Sequence, residues 1–152
     1  MSHVTVRFHK GRGWGSAIVR AFTRSPIGHV DVLVPGRGIL DVRPSVGARW
    51  AQPKEVPDMG LVHEIDLDTS ERVVALHLAA ESMEQELPAP YDWSGAIAAG
   101  VPLLAREHAT AFFCSEAVGT LLHRAGLIRW SEPWRLQPVS LLSLCLFHKE
   151  IT

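Results

Sequence analysis

The chain of 152 residues carries two cysteines, Cys114 and Cys145, in very different company. Cys114 stands in Phe112-Phe113-Cys114-Ser115-Glu116, at or just before an apolar-striped stretch from Ala117 to Ala125. A free thiol titrates near about 8.5, and its thiolate is the reactive form. Unpaired N–H groups and the positive dipole end of a helix start favour that thiolate. The position therefore suits covalent attack on a carbonyl, although a buried cysteine also packs well as a small apolar residue. Cys145, within Leu141-Leu-Ser-Leu-Cys-Leu-Phe147, has apolar neighbours throughout and reads as inert core.

A nucleophilic thiol needs a base, and the base needs an orienting partner. His29 opens the run His-Val-Asp-Val-Leu-Val34, where Val30, Val32 and Val34 share one strand face and His29 and Asp31 the other. A lone histidine at a strand start is ordinarily structural; a cysteine at a helix start and two nearby acids give this one its interest. Asp31 shares its face, and Asp41 lies on the next strand of a hairpin. With Pro35 to Gly38 as the turn, Val34 faces Ile39 and Val32 faces Asp41, so that register does not bring Asp41 to His29. A bulge or strand shift near Gly36 and Gly38 is needed.

Other candidates are weaker. His63 shares a strand face with Leu61, Ile65 and Leu67 and reads as a core or edge histidine, and His77 and His123 lie within helices without metal-pair spacing. Gly11-Arg-Gly-Trp-Gly15 lacks dinucleotide or P-loop spacing. There is no G-x-S-x-G, no H-E-x-x-H and no CxxC, so neither metal nor cofactor is expected. Trp14, Trp50, Trp93, Trp130 and Trp134 could line a groove, although tryptophans mostly pack.

The elements that must position these residues follow from periodicity. Val4–Phe8, His29–Val34, Ile39–Arg43 and Leu61–Leu67 read as strands. Ser16 to Phe22, Ser70 to Glu86, Asp92 or Ser94 to about Leu104, and Ala117 to Ala125 read as helices, the last with Gly126 as its C-terminal cap. Pro44 to Met59 reads as a loose stretch. The class is α+β, strands mostly first and helices mostly last, in a single domain over residues 1–152. A net charge of −1, with 47% hydrophobic and 20% charged residues, gives no electrostatic case for nucleic acid. No apolar run is long enough for an integral membrane segment. The N-terminus lacks the order of a secretory signal, so a cytoplasmic location as synthesised is expected, with virion association or release on lysis as routes outward.

Several of these stretches resemble the circularly permuted papain-like branch of the NlpC-type superfamily, which includes cell-wall peptidase-like proteins and the lecithin:retinol acyltransferase-like enzymes. Val6 to Ser25 resembles the family's opening, Gly28-His29-Val30 its histidine strand, and Ile39-Leu40-Asp41-Val42 the next strand. Phe112 to Glu116 resembles its cysteine motif and Leu127 to Leu142 the sequel. Tyr91-Asp92-Trp93 is similar to a Tyr-Asp pair that precedes the cysteine helix. The loop Arg43 to Arg49 departs from the pattern, with Ser45-Val46-Gly47 where the family often has paired glycines.

The resemblance implies an antiparallel sheet packed against the helix carrying Cys114. It also implies a catalytic Cys114–His29–Asp41 triad, with Asp31 as the alternative acid. It implies a thioacyl-enzyme mechanism on peptidoglycan stem-peptide amides, as a cell-wall amidase or endopeptidase of phage or bacterial origin. Tyr91, Asp92 and Glu116 are the expected substrate-side residues, although for Glu116 a first-turn carboxylate favourable to the helix dipole is the preferred role. The alternatives are a lipid acyl hydrolase or acyltransferase, and a non-catalytic component assembled with virion proteins.

Overall fold

The computed structural model describes residues 3–98, 110–130 and 132–151. Five strands, β1 (His3–His9), β2 (His29–Val34), β3 (Gly38–Arg43), β4 (Gly47–Ala51) and β5 (Leu61–Asp68), form one antiparallel sheet in the order β4-β3-β2-β1-β5. Helix α1 (Gly13–Thr23) joins β1 to β2, and α2 (Val73–Glu86), α3 (Trp93–Ala98), α4 (Cys114–Arg124) and α5 (Pro138–Ile151) follow the sheet. The architecture is α+β. Among the described residues, no helix is long and apolar enough to cross a membrane.

Strand alternation divides the sheet into two unlike faces. Val4, Val6, Phe8, Val30, Val32, Leu40 and Val42 share a buried core with Leu76, Ala117, Leu121, Leu122 and Cys145 of the helices. Each fully buried leucine or valine there contributes about 1.5–3 kcal/mol. The other face carries Arg7, His9, His29, Asp31, Asp41 and Arg43, and both of its aspartates are fully buried.

Helix α4 packs on β2 and β3, α5 on β5, and α2 on α4. Gly126, at φ +70°, ends α4 as its sequence position suggests. The N–H of Leu127 bonds the Leu122 carbonyl, and that of Gly126 bonds the His123 carbonyl.

The structure departs from the sequence reading in α5, a helix absent from that reading, and in two other segments. The stretch expected to be loose contains β4, which adds Arg49 and Trp50 to the sheet, and a short 3₁₀ turn at Pro53–Glu55. Helix α2 starts at Val73 because Asp68 accepts a bond from the Ser70 N–H and holds residues 68–70 in a turn. The helix expected from Asp92 or Ser94 is present as α3; its continuation to Leu104 lies outside the described residues. His63, on edge strand β5, is exposed.

Candidate active site

The hairpin register decides which acid faces what. Val34 pairs with Gly38, Leu33 with Ile39 and Val32 with Leu40, around a loop of Pro35, Gly36 and Arg37. Ladder positions are thus one residue from the simple register, a shift that Gly36 (φ +77°) and Gly38 (φ +111°) accommodate. Continued by one residue, this register puts Asp41 across from Asp31 rather than from Val32. Pairing between β2 and β3 ends at Val32–Leu40, short of His29 and Arg43.

Two buried carboxylates on facing strands repel unless each is compensated. Asp41 is gripped at both oxygens by Arg43, Nε donating to Oδ1 at 2.6 Å and Nη2 to Oδ2 at 2.7 Å. Arg49 Nε stands 3.5 Å from Oδ2. Asp31 Oδ1 accepts from Arg7 Nε at 2.7 Å, and Oδ2 lies 3.0 Å from His9 Nε2. Burial works to raise the Asp31 carboxyl, but the bonds from His9 and Arg7 outweigh it and hold the group below the ordinary carboxylate value.

His29 sits at the start of β2, directly opposite His9 of β1, with ring centroids 5.7 Å apart. It is buried, and its Nε2 has no hydrogen-bond partner among the described residues. Desolvation pulls it down to about 4; Asp31 is the largest opposing influence, ahead of Asp41. Gly28 fixes the chain just before it, since a Cβ there would stand 2.7 Å from the Lys10 carbonyl oxygen and 2.8 Å from that of Ser16.

Cys114 is the first residue of α4 and is 3% exposed. Burial pushes its thiol up to about 11, while the backbone N–H groups of Val30, Ser115 and Cys114 itself pull the other way. With His29 near 4, the proton rests on sulfur at neutral pH. The helix-start effect on the thiol is present but smaller than desolvation. Cys145 is fully buried in α5, and desolvation takes it to about 12.

A cleft of about 230 Å³ opens on His29 and is walled by Trp14, Val19, Arg43, Tyr91 and Trp93. Trp14 stacks on Trp93 at 4.8 Å, and Tyr91 meets Trp93 edge-on at 5.0 Å. Val19 and Tyr91 also bound a recess of about 10 Å³ at Cys114. The cleft holding His29 and the recess holding Cys114 thus share two walls, and Val30, next to His29, reaches the sulfur. Tyr91 is held there by its bridge to Phe112 and by the Asp92 N–H bonding the Phe112 carbonyl at 2.9 Å.

Of the three residues expected on the substrate side, Tyr91 lines the cleft. Asp92 is buried and accepts from the Ser94 hydroxyl and the Gly95 N–H at the start of α3. Glu116 is buried with its carboxylate bonded to the Phe113 N–H at 3.3 Å, across the first turn of α4. Sequence reasoning missed Arg7, His9, Arg43 and Arg49. The signal existed for the first two: alternation in β1 sets them opposite the Val6/Phe8 face, and pairing with β2 brings them to His29 and Asp31.

No protein-family model and no curated protein matches this chain.

Proposed function

We propose that the protein is a cysteine hydrolase in which Cys114 attacks an amide or ester carbonyl while His29 accepts the thiol proton. One observation carries this reading. At the start of β2, a buried histidine opens on an aromatic-walled cleft. The N–H of the next residue, Val30, converges with the first-turn N–H groups of α4 on the Cys114 sulfur. We read the arrangement as a permuted papain-like fold with the histidine strand ahead of the cysteine helix. The antiparallel sheet with α4 packed on β2 and β3 is compatible with it.

The displaced values of the two groups define the step. The proton moves from Sγ to His29 as the sulfur–carbon bond forms, so His29 acts as a general base during attack rather than as half of a resting ion pair. The imidazolium then returns that proton to the leaving amine or alkoxide. Water, deprotonated by the same histidine, resolves the thioester. The Cys114 backbone N–H is one donor to the developing oxyanion.

The preferred substrate is a peptidoglycan stem-peptide amide. The second reading is a lipid acyl ester, favoured by the aromatic and apolar walls contributed by Trp14, Val19 and Trp93. Incubating the protein with purified peptidoglycan and, separately, with a phospholipid panel tests both by mass spectrometry. New amine termini from peptidoglycan, absent with Cys114→Ala, are expected. Fatty-acid release alone moves the assignment to lipid, and silence from a folded protein on both removes the hydrolase reading.

A further inference from the structure

The acid expected to orient His29 is occupied elsewhere, because Asp41 is closed off by Arg43 and Arg49. The face of His29 is nevertheless furnished. His9 is its cross-strand neighbour on β1, 5% exposed, with the two rings tilted by 42°. Two buried ring nitrogens there have no partner among the described residues: Nδ1 of His9 and Nε2 of His29. Buried polar atoms are nearly always satisfied, and no direct bond joins these two, so orphans on neighbouring imidazoles point to one water molecule bridging them.

Tautomers decide whether the pair is complementary. Asp31 is ionised and accepts, so His9 must carry its proton on Nε2 to bond Oδ2 at 3.0 Å. In the neutral imidazole, Nδ1 of His9 is then a lone pair. If Nδ1 of His29 is to receive the thiol proton, Nε2 of His29 is an N–H. A donor then faces an acceptor.

We propose that His9 is the positioning residue for His29. Through one bridging water it accepts from the His29 Nε2–H, and it is itself oriented by Asp31, which Arg7 holds from its other oxygen. The proposal rests on the hydrolase reading and specifies its third member. One proton moves in the step, from Sγ of Cys114 to Nδ1 of His29; the bonds from His29 through the water to His9 and from His9 to Asp31 tighten without transferring theirs. The charged and titratable groups acting on His29 are His9 from β1, Asp31 from its own strand, and Asp41 and Arg43 from β3, with Arg7 reaching it only through Asp31. Among the described residues, no three His, Cys, Asp or Glu side chains are grouped so that they could hold a metal ion.

The test uses the full chain and two readouts. Nitrogen-15 NMR of the wild-type histidines should show His9 protonated on Nε2 and unprotonated on Nδ1, and His29 with the same tautomer. A His9 protonated on Nδ1 overturns the proposal without any variant. Iodoacetamide labelling of Cys114 across pH, mapped by mass spectrometry, supplies the second readout. His9→Phe should slow labelling near pH 7 by about tenfold or more, the scale of a misoriented base. His9→Asn, which restores an acceptor, should recover part of it. Wild-type rates and pH profile in a folded His9→Phe protein overturn the assignment. If His29→Ala also leaves labelling unchanged, the hydrolase reading itself fails, and the proposal falls with it.

Discussion

Asp41 and Arg43 form a two-point ion pair on the buried face of β3, with contacts of 2.6 and 2.7 Å. An acid held this way stabilises the sheet rather than steering an imidazole. Asp41→Asn should therefore cost about 2 kcal/mol of stability, the scale of hydrogen bonds to a charged group. Cys114 labelling should change less than about threefold. Asp31→Asn, which releases His9, should instead slow labelling by about tenfold or more. Urea denaturation and mapped alkylation of both variants measure the two effects side by side; the reverse pattern returns Asp41 to the orienting role.

Acid should destabilise the fold through His29. Its folded value, about 4, lies below the ordinary 6.5, so the unfolded chain binds the extra proton first as pH falls. The stability due to keeping His29 neutral is complete above pH 6.5 and lost between 6.5 and about 4, a change of roughly 3 kcal/mol. Unfolding free energies at pH 7 and pH 5 should differ less in His29→Phe than in wild type. An unchanged difference would mean that His29 does not titrate this way.

Thiol reactivity should separate the cysteines by site and by pH. Cys114, near 11, should alkylate slowly at neutral pH and faster by about tenfold per pH unit toward that value. It should still lead Cys145, near 12 in the core. Because Val19 walls both the cleft and the Cys114 recess, Val19→Ala should speed Cys114 labelling several-fold at fixed pH. Equal labelling of the two cysteines in native protein would contradict the placement of Cys114 beside the cleft.

Helix α1 ends on Arg24 with φ +51°, a left-handed position where an exposed side chain meets steric cost. Arg24→Gly should raise stability by up to about 1 kcal/mol, read as an increase in the urea midpoint. No gain would indicate that the Arg24 side chain contributes as much as the strain removes.

Much of this was legible in the chain. Alternation revealed β1, β2, β3 and β5, and Gly126 marked the end of α4, because period and left-handed glycines are local signals. The position of Cys114 at a helix start was legible for the same reason. Strand β4 was hidden by the prolines at 44, 53 and 57, which flank it without interrupting it. The destination of Asp41 was hidden because it depends on a one-residue register shift and on Arg49 from that unread strand. His9 was hidden because its meaning arises only when β1 pairs with β2, a contact between residues twenty apart in sequence. Burial of the Cys114 thiol, which outweighs the helix-start effect, is likewise a property of packing rather than of local sequence.

The central claim, covalent chemistry at Cys114 assisted by His29, is tested most directly by acylating the protein with p-nitrophenyl acetate. Acid quench and peptide mapping by mass spectrometry then locate the acetyl group. The account predicts acetyl-Cys114 in wild type, loss of that adduct in His29→Ala, and none at Cys145. Acetyl spread over lysines with Cys114 unmodified, or an adduct on Cys114 that His29→Ala leaves unchanged, would contradict it.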